Sequence, residues 1–267
     1  MPVVCRKLLI MRPCVASPVV IRGAAFGGSQ PLFCVPLVAK TLDQLLMQAQ
    51  TAHALKPDVV EWRVDSFDQT GAEEVGEALR QLRKILDREP IIFTLRISAE
   101  GGAKPMTQEA RASCIDAALR SGLIDMVDLE LCNGPEFLEP IISTAHSHGS
   151  RVILSFHDFE ATPSNEVLLG RISVMIRQGA DIAKVACMPR EAGDVLRLLQ
   201  VTLTARSVFP AVPLCTMSMG GLGSLSRVAG FLYGSDMAFA VGQAVSAPGQ
   251  IPIGEARAIT EALLRYA

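Results

Sequence analysis

The chain has 267 residues, of which 49% are hydrophobic and 19% charged, and its formal net charge is −2. This composition supports one domain with a large core, and the absence of basic runs argues against nucleic acid as a partner. No stretch reaches the roughly 18 uninterrupted apolar residues that a membrane-spanning helix needs, so we expect no membrane partner either.

The seven cysteines form no CxxC pair and lie in no spacing typical of a zinc site. Three of them, Cys34, Cys187 and Cys215, fall within expected strands. Reduced, buried thiols in an intracellular protein are the simplest interpretation, so we expect a cytoplasmic location and no bound metal.

The first segment, residues 1–18, contains basic side chains and an apolar run too short and interrupted for a signal peptide. We expect a disordered extension there and a folded catalytic domain over residues 19–267. The stretch VVIRGAAFGG, residues 19–28, predicts a small hairpin around Gly23 that covers the lower end of the structure that follows it.

Short β-rich runs then alternate with helical patterns to the end of the chain. The expected strands are residues 32–39, 59–65, 91–97, 126–131, 151–159, 181–187, 212–219 and 237–242. The expected helices are residues 41–55, 71–87, 107–121, 135–148, 164–178, 190–206, 221–232 and 253–266. Eight βα units in series predict an α/β fold, a single (β/α)8 TIM barrel with the N-terminal hairpin closing its bottom.

Side-chain alternation along the strands favours a barrel over an open sheet. In the second strand, Val60, Trp62 and Val64 share one face, and Glu61 and Arg63 share the other. The next three strands repeat this pattern, with an apolar face and a second face that turns polar late in the strand. An open doubly wound sheet buries both faces and favours continuous apolar runs instead. The polar positions fall where barrel active sites lie, at the carboxyl ends of the strands.

Lys184 stands inside the apolar run DIAKVACM of the sixth strand, on the same face as Ile182 and Ala186. A lysine that points into a barrel is desolvated, so we expect its pKa to fall below the ordinary value of about 10.4. A neutral amine can attack a ketone and form an imine. The alternative is a structural ion pair with an inward carboxylate such as Glu130 or Glu61.

His157 lies near the end of the neighbouring fifth strand and points inward if Phe156 points outward. A neutral imidazole beside a ketone-derived imine can take a proton from the adjacent carbon and return it to a leaving hydroxyl. The alternative is a structural histidine, or a capping group in the turn HDFEATP.

Three arginines are expected around the same mouth: Arg63 and Arg96 at strand ends, and Arg227 at the start of a helix. Guanidinium groups bind carboxylates in pairs of hydrogen bonds, so these residues suggest an anionic or hydroxyl-rich substrate. Their alternative is pairing with nearby acidic side chains, namely Glu61, Asp65, Glu100 and Glu130. The glycine-rich stretch GGLG, residues 220–223, offers a weaker possibility of phosphate binding through backbone N–H groups.

Seven motifs stand in one order along the chain: EWRVD, FTLRISAEGG, SFHDFEATP, DIAKVACMP, SMGGLGSLSR, YGS and SAPGQ. Together they resemble type I 3-dehydroquinate dehydratase of the shikimate route to aromatic amino acids, from about residue 19 to the C-terminus. The resemblance implies a homodimeric lyase with no metal or other cofactor. It also implies syn dehydration of 3-dehydroquinate to 3-dehydroshikimate through a lysine Schiff base.

The resemblance carries roles to individual positions. Lys184 corresponds to the imine lysine, His157 to the general acid–base, and Glu100 to the carboxylate that orients it. Arg227 corresponds to the clamp on the substrate carboxylate. The remaining substrate-binding positions are Glu61, Arg63 and Arg96 for the ring hydroxyls, Met217 and Met219 for an apolar wall, and Ser246 and Gln250 for a closing loop.

Two other functions are consistent with parts of the pattern. One is a different Schiff-base barrel, an aldolase or transaldolase that cleaves a carbon–carbon bond and normally grips a phosphate. The other is a sensor that binds quinate-type acids without turnover, which we would expect to have lost the lysine or the histidine.

Overall fold

The computed structural model describes residues 15–243 and 246–266, and it is a (β/α)8 barrel preceded by a hairpin. The hairpin consists of β1 (Val19–Ile21) and β2 (Ala24–Phe26). The barrel strands are β3 (Leu32–Leu37), β4 (Val59–Arg63), β5 (Ile91–Thr94), β6 (Met126–Glu130), β7 (Arg151–Asp158), β8 (Ile182–Cys187), β9 (Leu214–Ser218) and β10 (Met237–Phe239).

Helices follow the strands and form the outer layer. They are α1 (Leu42–Ala54), α2 (Ala72–Ile85), α3 (Gln108–Arg120), α4 (Pro135–Ser147), α5 (Asn165–Arg177), α6 (Ala192–Val208), α7 (Ser224–Ala229) and α8 (Ile253–Tyr266). Hydroxyl side chains start three of them: Thr41, Thr107 and Ser164 each accept a hydrogen bond from a backbone amide of the first turn. The expected order of strands and helices is confirmed.

Several strands end earlier than the alternation predicts, because the chain turns into single 3₁₀ turns at their carboxyl ends. These turns are Val64–Ser66 after β4, Ser98–Glu100 beyond β5 and Leu131–Asn133 after β6. Each turn keeps polar side chains at the mouth of the barrel without extending the ladder. The expected helix over residues 221–232 is likewise split into α7 and a 3₁₀ turn, Gly230–Tyr233.

All neighbouring barrel strands pair in parallel, in the order β10, β3, β4, β5, β6, β7, β8, β9. The seam between β9 and β10 is bridged by Asp236, whose carboxylate accepts from the amide of Leu214 at 2.7 Å. The amide of Asp236 donates back to the Leu214 carbonyl at 2.6 Å. A buried ion pair with Arg206 holds this carboxylate in place.

The core has two layers, which follow from the alternation of side chains. The outward faces of the strands, including Trp62 and Phe93, pack against the helices. The inward faces near the bottom, including Ile92 and Ile153, form a second cluster that the hairpin residue Phe26 covers. The hairpin therefore closes the lower end of the barrel, as the sequence predicts.

Residues 1–14 of the expected disordered extension lie outside the described residues. Of the remaining residues of that segment, Val15 is buried and Ala16 donates to the Pro210 carbonyl at 2.8 Å. Within the described residues, no helix is long and apolar enough to cross a membrane. The three strand cysteines, Cys34, Cys187 and Cys215, are buried free thiols.

Candidate active site

A cavity opens at the carboxyl ends of the barrel strands. Ten of the eleven residues that the sequence analysis assigned to the site line it: Glu61, Arg63, Arg96, Glu100, His157, Lys184, Met217, Met219, Ser246 and Gln250. The eleventh, Arg227, does not. The cavity thus collects side chains from β4, β7, β8 and β9, from the segment that follows β5, and from the loop that contains Ser246 and Gln250.

Lys184 points into the barrel from β8, where its side chain is only 5% exposed. Its Nζ lies 2.8 Å from Oδ2 of Asp128 and 3.7 Å from Oε1 of Glu61. The ring of Phe239 faces the same nitrogen, with 4.3 Å between Nζ and the ring centroid. Two carboxylates and an aromatic face all favour a cation at this position.

The expectation that the pKa of Lys184 falls below its ordinary value is wrong for the unliganded protein. Burial lowers this pKa, but the negative charges of Asp128 and Glu61 outweigh burial and raise it overall. Lys184 is therefore an ammonium at rest. It must give up a proton before it can attack a carbonyl carbon.

Of the two carboxylates considered from sequence, Glu61 does approach Lys184, whereas Glu130 is occupied by arginines. Oε1 of Glu130 accepts from Nη1 of Arg96 at 2.9 Å, and Oε2 accepts from Nη2 of Arg111 at 2.7 Å. Asp128, the closer partner of Lys184, was missed in the sequence. Asp128 stands two residues before Glu130 in β6, so alternation puts both on the inward face, and this was the available signal.

His157 lies at the end of β7, with Phe156 packed outward in the core as the alternation requires. Oε2 of Glu100 accepts from Nδ1 of His157 at 2.9 Å and from its backbone amide at 3.0 Å. An ionised Glu100 places the imidazole proton on Nδ1, which leaves the Nε2 lone pair available. No hydrogen bond to Nε2 comes from any part of the chain that the structure describes.

The charges around His157 keep its imidazole neutral. Burial lowers its pKa well below the ordinary value, and the positive charges of Arg96 and Lys184 lower it further. A neutral imidazole with one open nitrogen can accept a proton from a carbon acid placed in the cavity.

Two of the three arginines, Arg63 and Arg96, form ion pairs with carboxylates, which was the alternative to substrate binding. Arg63 donates to both oxygens of Asp65, each at 2.8 Å. Arg96 bridges Asp128 and Glu130, each at 2.9 Å. Both residues still line the cavity, so they can present N–H groups to hydroxyls but carry little unbalanced charge.

Arg227 has a different environment, because no ion pair to it occurs among residues 15–243 and 246–266. Nη2 donates to the Pro248 carbonyl at 3.0 Å, Nη1 donates to the Phe239 carbonyl at 3.4 Å, and Nε has no partner. Burial lowers the pKa of Arg227 to about 10. Its hydrogen-bond partners Phe239 and Met217 lie in the cavity wall, so the guanidinium lies directly behind that wall.

The loop over the cavity is closed on itself. The Ser246 amide donates to Oε1 of Gln250 at 3.0 Å, and Nε2 of Gln250 donates to the Ser246 hydroxyl at 2.9 Å. The carbonyl of Pro248 accepts from both Arg227 and the amide of Gly220. Because the amides of Gly220 and Gly223 are already bonded to carbonyls, the glycine-rich segment offers little to a phosphate.

Comparison with known proteins gives a consistent result. A model of the family described as type I 3-dehydroquinase matches residues 33–266. A 3-dehydroquinate dehydratase of Bacillus licheniformis is 42% identical over 246 residues, which cover 92% of this chain and 97% of the relative. One from Klebsiella pneumoniae strain 342 is 42% identical over 247 residues and covers 92% of this chain and 98% of the relative.

Solved structures agree with these matches. The crystal structure of 3-dehydroquinate dehydratase from Geobacillus kaustophilus superposes with a TM-score of 0.93 at 40% identity, covering 96% of this chain and 99% of that one. A type I 3-dehydroquinate dehydratase from Clostridium difficile with covalently modified comenic acid gives a TM-score of 0.91 at 34% identity. It covers 94% of this chain and 99% of that one.

Proposed function

The chain belongs to the type I 3-dehydroquinase family, and we propose that it dehydrates 3-dehydroquinate to 3-dehydroshikimate through an imine on Lys184. Family membership makes the protein a hydro-lyase of the shikimate pathway. The observation that carries the assignment of roles is that Lys184 and His157, both buried, line one cavity while Glu100 holds Nδ1 of the imidazole.

The Lys184 ammonium first releases a proton to solvent, and the neutral amine then attacks the substrate ketone. Loss of water gives an imine, which takes up a proton again. A proton on the imine nitrogen keeps a positive charge beside Asp128 and Glu61, where the ammonium stood before. This charge withdraws electrons and acidifies the carbon next to the former ketone. Nε2 of His157 removes that proton, and the electron pair enters the enamine.

Elimination follows from the enamine. The nitrogen lone pair re-forms the C=N bond of the iminium, and the enamine π pair forms a new double bond to the next carbon. The carbon–oxygen bond of that carbon breaks, and the leaving hydroxide takes the proton that His157 holds. The net loss is one water, removed from one face of the ring because one imidazole serves both carbons. Hydrolysis of the imine releases the enone product and restores Lys184. Well-placed acid–base catalysis of this kind contributes roughly 10²–10⁴-fold.

The substrate-binding roles follow from charge and position. We propose that Arg227 binds the substrate carboxylate, because its buried guanidinium has no carboxylate partner among the described residues. Glu61, Arg63 and Arg96 would bind ring hydroxyls. Met217 and Met219 would form the apolar wall, and Ser246 and Gln250 would exchange their mutual hydrogen bonds for the substrate.

The decisive experiment combines turnover with covalent trapping. Incubation with 3-dehydroquinate should produce the ultraviolet absorbance of the enone. Borohydride added during turnover should fix the carbon skeleton to Lys184, which peptide mass mapping locates. Lys184→Ala should lose both signals, whereas Lys104→Ala, whose ammonium only donates to the carbonyls of Phe67 and Asp68, should keep both. A mass increment on another lysine would refute the assignment.

From the same resemblance we propose a homodimer in the cytoplasm. Sedimentation equilibrium should give twice the mass of the chain, 28.6 kDa. The buried free thiols are consistent with a reducing compartment.

A further inference from the structure

Glu100 has a second contact that proton transfer by His157 does not itself require. Oε2 accepts both hydrogen bonds from His157, whereas Oε1 accepts one from the thiol of Cys132, with Sγ 3.1 Å away. No other hydrogen bond to Oε1 occurs within the described ranges. His157 therefore fixes one oxygen of this buried carboxylate, and the thiol of Cys132 fixes the other.

The position of Cys132 is set by its neighbours rather than by its own burial. Cys132 is exposed and occupies the middle of the 3₁₀ turn Leu131–Asn133. Nδ2 of Asn133 donates to the Glu130 carbonyl at 2.8 Å, and Nη1 of Arg111 donates to Oδ1 of Asn133 at 2.7 Å. These hydrogen bonds tie the turn to buried charged groups, so the thiol is held over Glu100.

The thiol remains a donor at neutral pH. Although the residue is exposed, the sulfur is partly buried against Glu100, and this partial burial and the hydrogen bond to Glu100 raise the pKa of Cys132 to about 12. The same hydrogen bond lowers the pKa of Glu100. Burial raises this pKa overall, and the charge of Glu130 adds to the increase. Cys132, Arg96 and the His157 amide act against it. Loss of the thiol would remove the largest influence that opposes burial.

We infer that Cys132 is a positioning residue for the dehydration: its thiol holds Oε1 of Glu100 so that Oε2 stays directed at His157. This inference rests on the proposed function, because Cys132 can affect turnover only if His157 transfers protons in the reaction. Cys132 itself does not line the cavity, so it acts through Glu100.

Three substitutions separate hydrogen bonding from packing. Cys132→Ala and Cys132→Val remove the donor, whereas Cys132→Ser keeps one. Both variants without the donor should lose kcat about three- to tenfold with KM nearly unchanged, since one net hydrogen bond is lost. The acidic limb of the kcat–pH profile should move to higher pH by about half a unit, because Glu100 then takes up a proton more easily. Cys132→Ser should stay close to the wild type in both readouts.

The route of action is tested in a Glu100→Gln background. There, Cys132→Ala should cause no further loss of kcat, because the carboxylate that it positions is gone. An equal loss with and without Glu100 would overturn the inference. Cys114→Ala, which removes a buried thiol of α3 outside the cavity, serves as the control and should leave the acidic limb unmoved.

The outcomes also separate this inference from the proposed function. A wild-type protein that forms no enone defeats the proposed function. An active wild type whose Cys132→Ala and Cys132→Val variants match it in kcat and in pH profile defeats only the role of Cys132.

Discussion

Asp128 lies closer to Lys184 than any other carboxylate in the described part of the chain, with 2.8 Å between Oδ2 and Nζ. The other oxygen of Asp128 accepts from Arg96 at 2.9 Å and from the Ser155 hydroxyl at 2.6 Å. Burial raises the pKa of Asp128, but Arg96 and Lys184 outweigh burial and lower it overall. A fixed negative charge therefore stands beside the nitrogen on which we propose the reaction occurs.

Asp128→Asn should separate the charge at Lys184 from its geometry. Without the carboxylate, burial dominates, and the pKa of Lys184 should fall. A protonated imine would be less stable for the same reason, so we expect kcat to fall about tenfold, equivalent to about one pKa unit. Competitive acetylation across pH measures the pKa of the amine, and enone formation measures turnover.

A matched control for this substitution is Asp125→Asn. Asp125 pairs with Arg22 and Arg83 below the barrel, outside the cavity. Asp125→Asn should lower the free energy of unfolding without changing how the acetylation of Lys184 depends on pH. An unchanged pH dependence in Asp128→Asn as well would show that the carboxylate does not set the charge of the amine.

His157→Gln should stop the reaction after imine formation. The glutamine amide can occupy the site but cannot accept the carbon-bound proton. We expect borohydride trapping on Lys184 to persist while enone formation falls by about 10²–10⁴-fold. Mass spectrometry of the trapped protein and the absorbance assay measure the two steps separately. Full turnover in this variant would exclude His157 as the base.

The barrel and the faces of its strands could be predicted because burial of one face imposes a period of two. The alternation around Trp62 and Phe156 correctly placed Glu61 and His157 inside. The strand ends were less predictable, since the alternation continues through residues that fold into 3₁₀ turns. Those turns depend on tertiary contacts, such as the hydrogen bond from Asn133 to the Glu130 carbonyl.

Pairing inside the site was harder to predict, because alternation gives a face and not a partner. Register aligns Lys184 with Ser155 and Ser155 with Glu130, which favours Glu130 as the partner of the amine. Glu130 instead forms ion pairs with Arg96 and Arg111, and Asp128 forms the ion pair with Lys184. Only the full set of charges, several of them far apart in sequence, decides between the two.

Arg227→Met should weaken substrate binding without destabilising the fold. A buried guanidinium with no neutralising carboxylate costs stability, as its lowered pKa of about 10 indicates. Replacement by an apolar side chain should leave the free energy of unfolding unchanged or slightly higher. KM should rise at least tenfold, because a charged hydrogen-bonded contact contributes about 1.5–3 kcal/mol.

Arg96→Met provides the contrast. Arg96 neutralises Asp128 and Glu130, so its removal leaves two buried carboxylates without that partner. We expect a loss of about 3–5 kcal/mol in the free energy of unfolding. Chemical denaturation of both variants measures the difference. If Arg227→Met is as destabilising as Arg96→Met, the guanidinium of Arg227 has a structural role and is not a binding group for the substrate carboxylate.

The pH dependence of stability should report the neutral state of His157. Its pKa is well below the ordinary value of about 6.5 in the folded protein, so below pH 6.5 the unfolded chain takes up a proton that the folded chain refuses. The free energy of unfolding should therefore fall with decreasing pH, by at most about 1.4 kcal/mol per pH unit from this group. His157→Gln should remove that slope between pH 6.5 and the lowered pKa. Urea denaturation at several pH values compares the slopes. Parallel slopes in the two proteins would mean that folding does not lower the pKa of His157.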